Sequence, residues 1–82
     1  MPIQEALERA IHAVAPSAVI DLESKNGHLT AIVVAPEFEN LTHLYRQQKI
    51  WKEVREKLGS DSAKVGILLL YSPEEASALE DE

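Results

Sequence analysis

The side chains that could do chemistry in this chain are few, and they form no catalytic pattern. There is no cysteine, which excludes a thiolate zinc site, a cysteine nucleophile and a disulfide-stapled scaffold. The three histidines, His12, His28 and His43, form no pair at metal-ligand spacing, and neither a Ser/His/Asp order nor a glycine-rich phosphate loop is present. We therefore expect a protein that is not an enzyme and has no catalytic residue.

A cluster of basic side chains near the middle of the chain is the second feature that could bind a partner. Five of the eight basic residues lie in it, and they are Arg46, Lys49, Lys52, Arg55 and Lys57. The formal net charge of −6 argues against a general nucleic-acid coat, because phosphate binding needs a concentrated basic surface. Residues 43–57 nevertheless carry +3, from five basic and two acidic residues. This cluster predicts one of two things. It is either a face that binds phosphates or an acidic partner, or a solvated face on which these cations pair with Glu53 and Glu56.

Hydrophobic periodicity predicts the elements that position these side chains, beginning with a helix and a hairpin. Large apolar residues recur at helical spacing from 2 to 14, which predicts an amphipathic helix. Residues 19–23 and 28–35 have the character of strands, and Asn26-Gly27 between them supplies the positive φ angles of a hairpin turn. Because residues 32–34 are consecutively apolar, the second strand is expected at the centre of the sheet.

The second half of the chain predicts a longer helix, a third strand and a short last helix. Thr42 is a suitable N-cap for a helix that runs to about Leu58, and Gly59 is its stop signal. Residues 63–71 have the length and aliphatic content of a strand. Ser72-Pro73-Glu74-Glu75 then combines an N-cap serine, a first-turn proline and a capping-box glutamate, which predicts the last helix.

The element order α-β-β-α-β-α predicts an α+β fold. Parallel pairing of the third strand must use the second helix as its crossover, so we expect a three-stranded mixed sheet with the helices on one face. The length fits one domain, which we place at residues 1–76, followed by an acidic tail at 77–82. The apolar runs are too short to span a membrane and no signal pattern is visible, so a reducing cytoplasm is the expected location.

A helical wheel of the second helix separates an apolar arc from the basic residues. The arc contains Leu44, Ile50, Trp51, Val54 and Leu58, and all five basic residues fall outside it. Trp51 is expected in the core. Gln47 is the one polar residue inside the arc, and a buried amide must find hydrogen-bond partners. It is expected either to bond to the backbone near Asn40 or to lie in a recognition surface.

Four segments of the chain, in this order and spacing, resemble the BolA family. They are Gly27-His28-Leu29, Phe38-Glu39-Asn40, Tyr45-Arg46-Gln47-Gln48-Lys49-Ile50-Trp51 and Tyr71-Ser72-Pro73-Glu74-Glu75. The resemblance covers nearly the whole chain. It implies an α-β-β-α-β core related in topology to class II KH domains, which agrees with the element order predicted independently.

The resemblance also implies a function. BolA-like proteins are accessory or regulatory proteins that bind a monothiol glutaredoxin and take part in iron–sulfur cluster assembly, trafficking or iron-linked regulation. The partner and glutathione would supply the thiolates, and no cofactor is expected on this chain alone. The implied docking surface lies around the second helix and the start of the last strand, and it comprises Arg46, Gln47, Gln48, Lys49 and Lys64.

Two departures from the family pattern bear on this function. Asn40 stands where the family usually has glycine, and asparagine tolerates the left-handed backbone that glycine provides, so the loop geometry is expected to survive. The histidine that ligates a [2Fe–2S] cluster shared with glutaredoxin falls on Lys64, and a second family position in the hairpin falls on Lys25. An ammonium has no lone pair for iron, so either an apo complex or a cluster held weakly through His28 is expected.

Two other functions stay open. Some relatives are credited with DNA binding, so a nucleic-acid-binding transcriptional regulator that uses Arg46, Lys49, Lys52 and Arg55 is the main alternative. The Gly-x-x-Gly loop with which KH domains clamp nucleic acid is absent, which argues against it. A protein-interaction module without a cluster role is the third possibility.

Overall fold

The computed structural model describes residues 3–80, except for the side chain of Glu80. Its helices and strands follow the predicted order. They are α1 (Ile3–Val14), β1 (Val19–Lys25), β2 (His28–Val34), α2 (His43–Leu58), β3 (Val65–Tyr71) and α3 (Pro73–Glu80). Short 3-10 turns at Pro36–Phe38 and Gly59–Lys64 precede α2 and β3, respectively.

The sheet has the order β1-β2-β3, with β2 at its centre as predicted. β1 and β2 form an antiparallel hairpin, and Asn26 (φ 55°) and Gly27 (φ 79°) adopt the positive φ angles that its tight turn requires. β3 is parallel to β2, so α2 is the crossover between them. The predicted α+β fold with a three-stranded mixed sheet is confirmed.

The core lies between one face of the sheet and the helices α1 and α2. In β2, buried side chains alternate with half-buried ones, as expected for a strand with one face on the core. The largest fully buried side chains are Phe38, Leu7, Ile11, Ile50, Val33 and Val54. Trp51 is half-buried and packs against this cluster, in agreement with its predicted core position.

The contact face of α2 differs from the predicted one. Leu44, predicted in the apolar arc, is 68% exposed, whereas Arg46, predicted on the exposed side, is only 3% exposed. The buried row of α2 is Arg46, Ile50, Val54 and Leu58, which are spaced four residues apart. Arg46 therefore extends the core-facing stripe by one turn on the N-terminal side of Ile50.

Smaller differences concern the ends of elements and one loop. β3 begins at Val65 because residues 59–64 form a 3-10 turn, and Gly59 ends α2 with a φ of 58° as predicted. Within residues 3–80, Asn26 is the only non-glycine residue with positive φ, so Asn40 does not adopt the left-handed backbone expected of it. α3 continues through the predicted boundary at residue 76 as far as Glu80. Pro2 of the predicted first helix and the tail residues Asp81 and Glu82 lie outside the described residues.

Candidate functional site

Arg46 is the centre of a hydrogen-bond cluster at the start of α2. Its guanidinium donates to three main-chain carbonyls: Nε to Leu41 O (3.0 Å), Nη1 to Leu70 O (3.0 Å) and Nη2 to Phe38 O (2.6 Å). Nη1 also donates to Oε1 of Glu75 at 2.6 Å. The guanidinium carbon lies 5.6 Å from the centroid of the Phe38 ring. This one side chain joins α2, β3, α3 and the loop before α2.

Glu75 connects this cluster to the beginning of α3. Its Oε1 accepts the Ser72 N–H at 2.8 Å while the Ser72 Oγ accepts the Glu75 N–H at 3.3 Å, which is the predicted capping box. The hydrogen bond from Arg46, helped by that from Ser72, lowers the pKa of Glu75 to about 2. The other oxygen, Oε2, lies 3.4 Å from Nε2 of His43. The same glutamate thus caps α3 and neutralises the buried arginine.

Gln47 is bonded to β3 and not to the backbone near Asn40. Its Nε2 donates to Leu68 O at 2.7 Å, and its Oε1 accepts the indole N–H of Trp51 at 2.9 Å. Since Tyr71 O accepts from Ala35 N–H on the β2 side, alternation along β3 directs the carbonyls of Leu68 and Leu70 to the open edge. Gln47 and Arg46 therefore cap two of the carbonyls at the open edge of β3.

These contacts correct the predicted partner surface. Arg46 is buried and makes four hydrogen bonds within the chain, so it does not belong to an exposed docking or phosphate-binding face. Gln47 is half-buried and both of its amide atoms are bonded within the chain. The sequence feature that is consistent with the burial of Arg46 is its place four residues before Ile50, in the row that continues to Val54, but the helical wheel assigned it to the exposed side by residue type. Glu75 was recognised only as a cap.

The predicted contact residues of α2 other than Arg46 and Gln47 are exposed. Gln48, Lys49, Lys52 and Arg55 are all exposed, and Lys49 Nζ lies 5.1 Å from the centroid of the Tyr45 ring. Leu44 and Tyr45 are exposed beside them. One of the predicted ion pairs forms, between Lys57 and Glu53 at 3.1 Å. We call the set Leu44, Tyr45, Gln48, Lys49, Lys52 and Arg55 the outer face of α2; it is basic with an apolar end.

The second candidate cluster lies where β2 and β3 begin. His28 is the cross-strand partner of Lys25 in the hairpin, and it precedes Leu29, which pairs with Val65 of β3. Lys64 precedes Val65, so His28 stands between the two lysines at one end of the sheet. All three side chains are exposed, and Lys64 Nζ lies 3.7 Å from Oδ1 of Asp61. We call Lys25, His28 and Lys64 the strand-end trio.

The surroundings of His28 fix the orientation and accessibility of its ring. Nδ1 lies 3.2 Å from the carbonyl oxygen of Asn26. Because a carbonyl only accepts, Nδ1 carries the proton in this contact, and a neutral ring then keeps its lone pair on Nε2. Gly66 adjoins the histidine, since a Cβ there would lie 3.3 Å from the His28 Cβ. The absence of a side chain at residue 66 thus leaves room for the imidazole.

Comparison with known proteins identifies the fold. No protein-family model matches the chain, and no curated protein matches it. Among solved structures, BolA1 from Arabidopsis thaliana matches with a TM-score of 0.69 at 14% identity, over 92% of this chain and 96% of that one. The chain has the BolA fold.

Two further solved structures agree. A bol-like protein from Babesia bovis has a TM-score of 0.64 at 16% identity, covering 98% of this chain and 95% of its own. A BolA protein homologue from Coxiella burnetii has a TM-score of 0.60 at 23% identity, covering 94% of this chain and 99% of its own. The BolA fold thus extends over nearly the whole length of both partners in each comparison, and the resemblance noted in the sequence is confirmed at the level of fold.

The donor set of this BolA-like chain limits what it can bind by itself. Among residues 3–80, no group of three or more histidine, aspartate or glutamate side chains is placed to hold a metal ion. His28 offers one imidazole nitrogen as a metal ligand, and its lysine neighbours offer no metal ligand.

No helix within the described part of the chain has the length and apolar character needed to cross a bilayer.

Proposed function

We propose that this BolA-like chain is an accessory protein that binds a monothiol glutaredoxin and takes part in iron–sulfur cluster handling or iron-linked regulation. The observation that carries the proposal is the exposed His28 imidazole at the strand end of a BolA fold, next to the position where the family pattern has its ligand histidine. Its Nε2 keeps a lone pair that makes no hydrogen bond within residues 3–80.

The strand-end trio fits a shared [2Fe–2S] cluster as a source of one ligand. A thiolate-ligated cluster needs several donors, and a chain without cysteine must take the thiolates from its partner and from glutathione. His28 is the residue that would complete the set, and imidazole ligation raises the reduction potential of such clusters relative to thiolate ligation. Lys25 and Lys64 cannot ligate iron, but their positive charges favour the carboxylates of glutathione and the anionic cluster.

The outer face of α2 is the second part of the proposed docking surface. Lys49, Lys52 and Arg55 give it positive charge, and Leu44 and Tyr45 give it exposed apolar area. Interfaces of this kind gain affinity from the apolar centre and association rate from the charges. An acidic surface on the glutaredoxin is the complement that this face requires.

The test is anaerobic reconstitution with a monothiol glutaredoxin, glutathione, iron and sulfide, followed by visible-region circular dichroism. We expect the spectrum of the mixture to differ from that of glutaredoxin alone and to lose this difference with His28→Ala. His12→Ala, which removes an exposed histidine on α1, is the matched control and is expected to match the wild type. Lys64→His is expected to strengthen the shared cluster.

Two outcomes contradict parts of this proposal. If His28→Ala and the wild type give the same spectrum while Lys64→His changes it, the chain lacks its own ligand and forms only the apo complex. If neither variant changes anything and no complex forms, the glutaredoxin function is wrong. The experiment therefore distinguishes a wrong assignment of the cluster ligand from a wrong assignment of the partner protein.

Nucleic-acid binding is retained as the alternative because three exposed cations, Lys49, Lys52 and Arg55, share the outer face of α2. The burial of Arg46 removes the fourth predicted contact. A net charge of −6 also opposes binding to phosphates. We therefore rank it below the glutaredoxin proposal.

A further inference from the structure

The face of the sheet that points away from α1 and α2 is uncovered and largely apolar. The pairing register aligns its side chains in three rows across the strands, which are Val19–Val34–Tyr71, Asp21–Ile32–Leu69 and Glu23–Thr30–Ile67. Val19 is 70% exposed, Ile67 53% and Leu69 37%, while Ile32, Val34 and Tyr71 are half-buried. Contiguous exposed apolar area of this kind marks a binding surface more often than chance. We call these three rows the open sheet face.

The open sheet face continues into a cleft at the end of β3. Tyr71 lines a cleft of about 280 Å³ together with Ala78 and Leu79 of α3. His43 and Glu75 line the same cleft. An occupant that follows the apolar side of β3 thus meets further apolar area at Leu79, which is itself exposed.

The position of the apolar rows limits the mode of binding. Gln47 and Arg46 already occupy the outward carbonyls of Leu68 and Leu70, which disfavours addition of a strand to β3. The apolar rows lie on the face of the sheet and not at its edges, so an occupant that buries them lies across the face through side-chain contacts. A helix whose apolar residues repeat every three or four positions suits this geometry.

Charge selects among the possible occupants. Asp21 and Glu23 are exposed along the β1 side of the open sheet face, next to Ile32 and Thr30. In a two-fold dimer with aligned sheets, these carboxylates would oppose either their own copies or the apolar side of β3. Like charges repel, and burying an unpaired carboxylate is costly, so a second copy is disfavoured. The apolar rows and the two exposed carboxylates together favour a partner with basic residues beside an apolar stripe.

We propose that the open sheet face binds a basic amphipathic helical segment of another protein, with its apolar stripe on Ile67, Leu69 and Tyr71 and its cations beside Asp21 and Glu23. This binding is independent of glutaredoxin and requires neither His28 nor Lys64.

The test uses a synthetic amphipathic peptide of about 15 residues, with leucine on one face and lysine on the other, and NMR spectra of the full chain. We expect the amide signals of Ile32, Leu69 and Tyr71 to shift on titration. A peptide with glutamate in place of lysine is expected to bind at least about tenfold more weakly. Asp21→Lys combined with Glu23→Lys is expected to abolish the preference for the basic peptide.

Matched leucine variants locate the contact. Leu69→Lys is expected to weaken peptide binding at least about tenfold, because it removes buried apolar area and adds a repelling charge. Leu44→Lys changes an exposed leucine on α2 and is expected to leave the affinity unchanged. Leu69→Thr, which suits a strand, replaces Leu69→Lys if circular dichroism shows that the latter does not fold.

Three results overturn the proposal. The first is equal binding of the acidic and basic peptides, or no binding of either at about 1 mM. The second is a set of shifted signals confined to α2. The third is concentration-dependent dimerisation in sedimentation experiments that Leu69→Lys abolishes, since the occupant would then be a second copy of this chain.

Discussion

Replacement of the buried arginine at the start of α2 is the most direct test of what holds this fold together. Arg46→Met keeps the aliphatic stem but removes the donors to Leu41 O, Leu70 O and Phe38 O. Phe38 O keeps its bond from the Leu41 N–H, whereas Leu41 O and Leu70 O lose their donor, and each buried carbonyl left without a partner costs about 1–3 kcal/mol. The ion pair with Glu75 contributes less, because that carboxylate is 36% exposed and solvent screens it. We expect a loss of about 3–5 kcal/mol in the free energy of unfolding.

The assay is urea unfolding followed by far-ultraviolet circular dichroism and Trp51 fluorescence. Arg55→Met is the matched control, because it removes an exposed arginine from the same helix, and it is expected to change stability by less than about 0.5 kcal/mol. Since small domains are stable by roughly 5–15 kcal/mol, Arg46→Met is expected to lose a large share of the stability and to unfold at a clearly lower urea concentration than the wild type. If both variants lose the same free energy within about 1 kcal/mol, the assignment of Arg46 as the anchor of the fold is wrong.

Three further predictions concern neighbouring residues. Gln47→Leu leaves Leu68 O without its donor and is expected to lower the free energy of unfolding, measured in urea, by about 1–3 kcal/mol. Gln48→Leu on the exposed face is the control and is expected to lower it by less than about 0.5 kcal/mol. Equal losses in the two variants would contradict the capping role of Gln47. Because the pKa of Glu75 is lowered in the folded state to about 2 from 4.5, its stabilisation is present above pH 4.5 and is lost as the pH falls toward 2. The stability gap between wild type and Glu75→Gln should therefore close on acidification, and a pH-independent gap would refute this linkage. If the chain binds duplex DNA at low salt, Lys49→Glu with Lys52→Glu should abolish the binding, and unaffected affinity would exclude the outer face of α2 as the nucleic-acid site.

Local signals in the sequence were sufficient for the elements and their order. The Asn26-Gly27 turn, the Thr42 cap, the Gly59 stop and the Ser72–Glu75 capping box each act within a few residues, and all four form as predicted. The parallel pairing of β3 then followed from the crossover rule. The α+β fold with its three-stranded mixed sheet could be predicted because these local preferences agree with one another, whereas the BolA fold was expected from the resemblance of the four segments.

The burial of Arg46 could not be predicted from local preferences. Its acceptors at residues 38 and 70 and its ion-pair partner Glu75 lie 8, 24 and 29 positions away and meet only when the sheet is assembled. A helical wheel assigns an arginine to solvent by residue type, whereas its stem here extends an apolar row. Gln47 was recognised as a polar residue among apolar neighbours, with either a bond to the backbone near Asn40 or a place in a recognition surface expected, and neither alternative named its acceptor on β3.

The candidate site was partly accessible from sequence. His28 and Lys64 were singled out separately through the family pattern, and their placement at one end of the sheet follows from the hairpin and the β2–β3 register. The contact of His28 Nδ1 with Asn26 O and the space left by Gly66 depend on side-chain positions that no sequence pattern encodes. The open sheet face likewise required knowledge of which side the helices cover.

The central claim is that this BolA-like chain binds a monothiol glutaredoxin. Size-exclusion chromatography with light-scattering detection of the anaerobic mixture, with and without glutathione, iron and sulfide, tests it most directly. We predict a heteromeric complex that elutes before either protein alone. Charge reversal at Lys49 and Lys52 is expected to weaken it, and this effect should diminish at high salt. Separate elution of the two proteins under every condition would contradict the claim.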